Sequence, residues 1–368
     1  MPLKSENFSE GIMIKERFTK IADMLCDNEG FLITSDVARQ YITGFKSSAG
    51  HLLITKNQGI LFIDSRYFEK ASAVIKHLKV MLLKSLDEQI KEAAEGLGIE
   101  HLYVETSEIS VLEYKCFSKM LSPITVSTDG KIDKALKEQR QIKDSGEIEC
   151  IRAAQKITDR AFSHILDFIK VGKTEREIAL ELEMFMRKNG SEGVAFDTIA
   201  VSGKNSSLPH GVPTDKPIAE GDFITMDFGA KIGGYCADMT RTVAVGFVSE
   251  KQEEVYETVL EAQKKAFFLI KNGAECAAVD AAARNLIRDR GYGEYFGHAL
   301  GHSLGLLVHE SPACSSRSKA TLKSGMFMTV EPGIYIPENF GVRIEDFCLV
   351  TDNGYENFTE SEKELIIL

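Results

Sequence analysis

No uninterrupted apolar stretch in this sequence approaches the roughly 18 residues that a bilayer-spanning helix requires, so a membrane-embedded protein is not expected. The opening residues, MPLKSENFSEG, have no apolar core of the signal-peptide kind, and the expected location is the cytoplasm. Runs of basic residues are missing too: 44 Lys and Arg are interspersed among 55 Asp and Glu, for a formal net charge of −11. A nucleic-acid partner needs a clustered positive field and is therefore not expected. The seven cysteines (Cys26, Cys116, Cys150, Cys236, Cys276, Cys314, Cys348) are odd in number and scattered, with no CxxC pair. That argues against a disulfide framework and for reduced, mostly buried thiols. Low-complexity segments and residue-level repeats are likewise lacking.

What is present is an ordinary globular composition, 43% hydrophobic and 27% charged, over 368 residues. That length predicts two domains, each folded throughout. Residues 1–11 are polar and aperiodic and read as an unstructured lead before a helical pattern that begins near Ile14. From there to residue 128, strand-like runs (GFLIT, HLLIT, GILFID, KVMLL, HLYVET) alternate with helical stretches such as SRYFEKASAVIKHL, which indicates an α/β layer domain. The polar stretch from Asp129 to Lys143 reads as a linker.

A second, mixed domain is expected over residues 144–368. Helices should run from Glu147 to about Lys170 and from Thr174 to Lys188, with Gly172 and Gly190 as their stops. Thr174 with Glu177, and Ser249 with Gln252, have capping-box spacing. GDFITMDFGAKIGGYCADMTRTVAV reads as a hairpin turning at Gly233 and Gly234, and GMFMTVEPGIYIP with VRIEDFCLVT as a second strand pair. Helix, helix, hairpin, then helix, helix, strands is an order that suggests an internal duplication.

The chemistry-bearing residues cluster in this second domain. Asp227 and Asp238 lie eleven residues apart on the two arms of the hairpin, so folding at Gly233 and Gly234 should set them opposite each other. Two close carboxylates need a cation or a shared proton; alternatively, one caps a turn and the other pairs with Arg241. GHALGHSLGLLVHE holds His298, His302 and His309, three of the eight histidines, among glycines that allow close approach. Glu331 follows in VEPG and Glu345 in RIED, each at a strand end where a carboxylate could also simply be solvated. Taken together, four carboxylates and one imidazole match two divalent cations in charge. Such an oxygen-rich set suits Mn(II), Co(II), Fe(II) or Zn(II).

MDFG, ADMTRT, GHALGHSLGLLVHE, VEPG and RIED, in this order and spacing, resemble the pita-bread metallopeptidases of the creatinase, aminopeptidase P and prolidase (M24) type. The resemblance covers residues 14–368. It implies a creatinase-like N-terminal α/β domain followed by an α+β pita-bread catalytic domain. It further implies Asp227, Asp238, His302, Glu331 and Glu345 as ligands of two metal ions, Mn(II) being expected. Asp238 and Glu345 would bridge the two ions. By the same resemblance Glu331 moves the proton, His309 stabilises the tetrahedral intermediate, and His210 contacts the scissile region. His298 and Arg343 match positions near the proline side.

The implied substrates are peptides with proline at the second position, and the implied assembly is a homodimer or larger homo-oligomer. No basic cluster dedicated to a dipeptide carboxylate is visible between Thr321 and Leu368, which favours an Xaa-Pro aminopeptidase. The alternative is an Xaa-Pro dipeptidase restricted to dipeptides. Methionine aminopeptidase fits less well, because it usually lacks both an N-terminal α/β domain and an arginine at the position of Arg343. Creatinase lacks the metal ligands, and peptide-binding relatives that are not enzymes have lost theirs.

Overall fold

The computed structural model describes residues 6–368, and the chain divides into two compact units, Met1–Arg140 and Gln141–Leu368. The first unit is built on a six-stranded mixed sheet. Its strands are β1 (Glu29–Ile33), β2 (His51–Thr55), β3 (Gly59–Ile63), β4 (Lys79–Leu82), β5 (His101–Val104) and β6 (Thr125–Ser127), in the order β4-β3-β2-β1-β5-β6. β1 pairs antiparallel with β2 and parallel with β5. β1 to β3 are apolar along almost their whole length because both faces are covered, and Leu32, Leu53, Phe62, Leu102 and Val104 sit in one core with Ile90 and Ala94 of the helix Leu86–Gly96.

Two expectations fail in this unit. The first helix begins at Glu6 rather than near Ile14, so most of the lead is helical; residues 1–5 lie outside the described residues. The stretch expected to be a linker contains an eleven-residue helix, Lys131–Gln141. Its composition is polar, but Ile132, Ala135 and Leu136 recur at helical spacing and are buried.

In the second unit the helix Ser145–Phe168 starts two residues before the expected Glu147, at an Asp144 cap reciprocated by Glu147. The helices Glu175–Lys188 and Glu250–Phe267 carry the capping boxes read from Thr174 and Ser249. A fourth long helix, Cys276–Asp289, packs on Glu250–Phe267 around Val255, Val259, Val279 and Ala283.

The strands that follow the helices are short. β7 (Ile199–Ser202), β8 (Phe223–Phe228) and β11 (Met239–Ala244) form an antiparallel sheet with β8 in the middle, and β9 (Lys231–Ile232) and β10 (Tyr235–Cys236) form the hairpin tip. β12 (Gly301–Ser303) pairs with β13 (Glu310–Cys314). β14 (Phe327–Val330) pairs with β17 (Asp346–Val350), β15 (Gly333–Ile336) with β16 (Phe340–Arg343), and β18 (Tyr355–Asn357) flanks β17. None of the seven cysteines forms a disulfide, and four of them are buried. No helix among the described residues is long and apolar enough to cross a membrane.

Candidate metal centre

The hairpin turns at Gly233 (φ 58°) and Gly234 (φ 83°), consecutive left-handed residues that a side chain would disfavour. Its register differs from the expected one: Asp227 pairs with Thr240, not Asp238. Asp238 lies two residues before Thr240, hence on the same sheet face and diagonal to Asp227. Ile199 of β7, also opposite Asp227, shares that face. Arg241 does not pair with either hairpin aspartate. Its guanidinium is buried against Asp346 at 2.6 Å and grips the Ser361 and Glu362 carbonyls.

The other expected ligands arrive from separate elements. His302 comes from β12, Glu331 from the end of β14, and Glu345 from the link between β16 and β17. Ligand atoms of Asp238, His302 and Glu345 all lie within 4.8 Å of one another. His302 Nε2 is 3.2 Å from Glu331 Oε1 and 3.7 Å from Asp238 Oδ2. Thr240 Oγ1 donates to Glu345 Oε2 (2.7 Å), and Arg343 Nη2 donates to Asp227 Oδ2 (2.6 Å). The remaining oxygens, Asp227 Oδ1 and Glu345 Oε1, are buried without a hydrogen-bond partner.

The histidine tautomer sharpens this picture. His302 Nδ1 is 3.1 Å from the Ser303 carbonyl, so it carries a proton and donates, and Nε2 faces two carboxylates, with which it shares a proton unless a cation takes that place. Lone pair against carboxylate is repulsive unless a proton or a cation lies between them. A ring nitrogen held by a backbone carbonyl, with its mate turned toward carboxylates, is the arrangement that metal-binding histidines adopt.

The electrostatics point the same way. Burial pushes the Asp238 and Glu345 carboxyls well above the ordinary range; the charges of Asp227 and Glu331 push both further, and that of Glu345 adds to the rise of Asp238. Asp227 also rises through burial, although Arg343 opposes it. For Glu331 burial acts upward too, but the His302 hydrogen bond and charge outweigh it and the net shift is down. These donors fit divalent cations: hard oxygens, one imidazole, two orphaned buried acceptors and an excess of negative charge.

The same cavity, about 370 Å³, is lined by all nine residues singled out from the sequence: Asp227, Asp238, His302, Glu331, Glu345, His210, His298, His309 and Arg343. His210 and His309 are exposed on its wall, and the His309 ring meets His302 edge-on at 4.4 Å. Burial, and next the neighbouring His302, hold the His309 pKa down.

Residues 149–352 match metallopeptidase family M24, and residues 26–142 match the creatinase/prolidase N-terminal domain. The chain belongs to metallopeptidase family M24. It is 41% identical over 359 residues to an Xaa-Pro dipeptidase of Pyrococcus horikoshii, covering 96% of this chain and 99% of that one. Among solved structures, an Xaa-Pro dipeptidase from Bacillus anthracis superposes with a TM-score of 0.91 at 42% identity, over 97% of this chain and all (100%) of that one. An X-Pro aminopeptidase from Thermotoga maritima superposes with a TM-score of 0.89 at 39% identity, covering 94% and 99%. The pita-bread resemblance and the two-domain architecture read from the sequence are thereby established, and the chain is a metallopeptidase that uses divalent metal ions.

In this M24 enzyme several residues that escaped sequence reading support those that did not. Arg343 Nε donates to Thr240 Oγ1 (2.9 Å) and Nη1 to both Tyr335 Oη (2.9 Å) and the Pro209 carbonyl (3.1 Å). Its fork is thus committed to internal partners. Tyr335 in turn donates to His298 Nε2 at 3.0 Å, because His298 Nδ1 is turned to the Ala299 carbonyl. Thr329 Oγ1 accepts from the His302 amide (3.0 Å) and donates to Glu331 Oε1 (3.1 Å). Thr240 and Thr329 lie two residues from ligand candidates on the same strand face, which is the signal that could have found them. Tyr335 carries none beyond its closeness to VEPG.

Proposed function

We propose that the chain is an Xaa-Pro dipeptidase that hydrolyses the bond between an N-terminal residue and proline, with Asp227, Asp238, His302, Glu331 and Glu345 holding two divalent ions, Mn(II) being the expected pair. The convergence of Asp238, His302 and Glu345 within 4.8 Å carries the metal-dependent reading. The sequence alone favoured an Xaa-Pro aminopeptidase. The dipeptidase alternative is better supported, because dipeptidases from Pyrococcus horikoshii and Pyrococcus furiosus match end to end at 41% and 40% identity. With the Arg343 fork occupied internally, the exposed His210 and His309 are the histidines that face substrate.

Bound divalent ions supply Lewis acidity, which acidifies water and polarises a carbonyl. Glu331, held through Oε1 by His302 and Thr329, takes the proton of the attacking water and passes it toward the proline nitrogen. His309, kept neutral, donates an N–H to the carbonyl oxygen as negative charge builds there. His210 orients the scissile region, and His298, locked by Tyr335 and by Phe296 edge-on at 5.0 Å, shapes the proline side. None of these contacts requires the amide N–H that an X-Pro bond lacks.

Comparing kcat/KM for Xaa-Pro, Xaa-Pro-Yaa and Xaa-Ala substrates with added Mn(II) tests this. Dipeptides should exceed tripeptides by about tenfold or more, and Xaa-Ala should be poorer still. Parity of tripeptides with dipeptides restores the aminopeptidase reading, and parity of Xaa-Ala removes the proline specificity.

A further inference from the structure

His210 lies on a loop between Ser202 and Lys216 that is tied near both ends to a single side chain outside it. Glu175 is fully buried at the start of the helix Glu175–Lys188. Its Oε1 accepts from the Ser202 amide (2.7 Å), Ser202 Oγ (3.0 Å) and Asn205 Nδ2 (3.1 Å). Its Oε2 accepts from the Thr214 amide (3.0 Å) and Thr214 Oγ1 (2.6 Å). Lys216 Nζ extends the cluster by donating to Ser202 Oγ (2.8 Å) and to Asp222 Oδ2 (2.7 Å).

This carboxylate is not needed to cap its own helix, since Thr174 and Glu177 already complete the capping box there. A buried carboxylate is costly unless charge-assisted hydrogen bonds surround it, and here every such bond goes to the loop. Between the two anchors the loop is pinned to the site. Gly341 of β16 donates its amide to Ser206 Oγ at 2.9 Å, so closely that a Cβ at Gly341 would fall 2.1 Å from the Ser206 carbonyl oxygen. The Pro209 carbonyl, next to His210, accepts from the Arg343 that also holds Asp227. Glu175 is the side chain that both ends of the loop donate to; with the Lys216–Ser202 contact and the Glu175 and Arg176 amides, which donate to the Lys216 and Thr214 carbonyls, it sets where His210 stands on the cavity wall.

We infer that Glu175 is the positioning residue for His210, acting on substrate binding through the loop rather than by touching substrate; this rests on the cavity being the Xaa-Pro site. Glu175→Gln keeps the shape but replaces one acceptor oxygen by an NH2 that cannot accept from the Ser202 or Thr214 amide. The variant should lose about tenfold to a hundredfold in kcat/KM on Xaa-Pro dipeptides, mainly through KM, with metal content unchanged. In a His210→Ala background the same change should cost less than about threefold, because the group it positions is gone. Equal losses in both backgrounds, or no loss in the first, overturn the inference. Thr214→Val removes one bond while keeping the backbone, and supplies the same cycle if Glu175→Gln does not fold.

A second readout needs neither metal nor turnover. Amides of residues 203–214 in the metal-free protein should exchange with deuterium at least about tenfold faster in Glu175→Gln, with β8 and β11 unchanged. Unaltered exchange in the loop overturns the inference. Faster exchange in a protein whose wild type does not cleave Xaa-Pro dipeptides leaves the loop assignment standing and removes the substrate reading instead.

Discussion

Glu105 in the first unit and Glu345 in the second are both buried carboxylates, 3% and 1% exposed, yet they differ in what surrounds them. Glu105, just beyond β5, accepts from the Thr34 amide (2.6 Å), the Ser35 amide (2.9 Å) and Ser35 Oγ (2.5 Å). Both oxygens are bonded, and together they hold the start of the helix Asp36–Thr43. Glu345 has one oxygen bonded to Thr240 and the other buried with no partner, amid three further carboxylates. A protein tolerates a buried charge by surrounding it with donors; where donors are withheld and like charges gathered, the site is built for something that arrives later. The contrast separates a carboxylate that stabilises the fold from one that the fold carries for its chemistry.

Glu345→Gln is the strongest way to break the contrast. It should reduce Xaa-Pro hydrolysis by more than about a hundredfold and lower metal content per chain, since a neutral amide is a poorer ligand for a divalent cation than a carboxylate. Without metal the variant should be at least as stable as the wild type, because a repelled buried charge is removed. Metal analysis and thermal melts with chelator check both; full metal content in the variant sinks the ligand assignment.

His309→Ala probes the exposed wall of the same cavity. Activity should fall by roughly tenfold to a thousandfold while metal content stays whole, if the ring supplies one donor to the developing oxyanion. Metal loss in that variant would make His309 a ligand.

Glu105→Gln should show the opposite profile. It leaves an N–H2 facing amide and hydroxyl donors, and urea titration should report a loss of about 2 kcal/mol. Its kcat/KM should remain within about twofold of wild type at a temperature where it stays folded. A large activity loss without destabilisation would erase the distinction between the two carboxylates.

The smallest expected effect is in the pH dependence of stability, and the two units should differ in sign. Partial burial alone would raise the Glu29 pKa, but the Cys26 amide, Lys131 and Tyr103 outweigh it and lower it to about 2. A lowered carboxyl stabilises the fold above its unfolded value, and that contribution fades as pH falls from about 4.5 toward 2. Asp238 and Glu345 are raised, so without metal they favour the fold at low pH and lose that contribution as pH rises through their folded values. Chelated Asp238→Asn and Glu29→Gln proteins, melted between acid and neutral pH, should flatten opposite limbs of the stability curve. Flattening of the same limb by both contradicts the assignment.

Much of this molecule was legible before its structure. Capping boxes at Thr174 and Ser249, the glycine pair at the hairpin turn and the apolar runs of the first sheet are local signals, written within a few residues of where they act. The nine cavity residues were also readable, because chemistry-bearing side chains sit in segments whose composition is unlike the rest. The helix Lys131–Gln141 was missed because three buried positions among eleven are too few to mark an apolar face. The pairing of Asp227 with Thr240 was missed because a turn residue announces where a strand reverses but not which residues meet across the ladder.

The sequence by itself determined which side chains have donors, acceptors and charge, and roughly which elements carry them. Only the tertiary structure decided how those groups are satisfied: Glu175 takes up every donor around it from a loop 27 to 39 residues away, Arg343 spends its fork on Asp227, Thr240, Tyr335 and Pro209, and Glu345 is left with an oxygen to spare. The reason is that hydrogen-bond satisfaction is a count over neighbours in space, and those neighbours come from strands and loops that no local pattern relates.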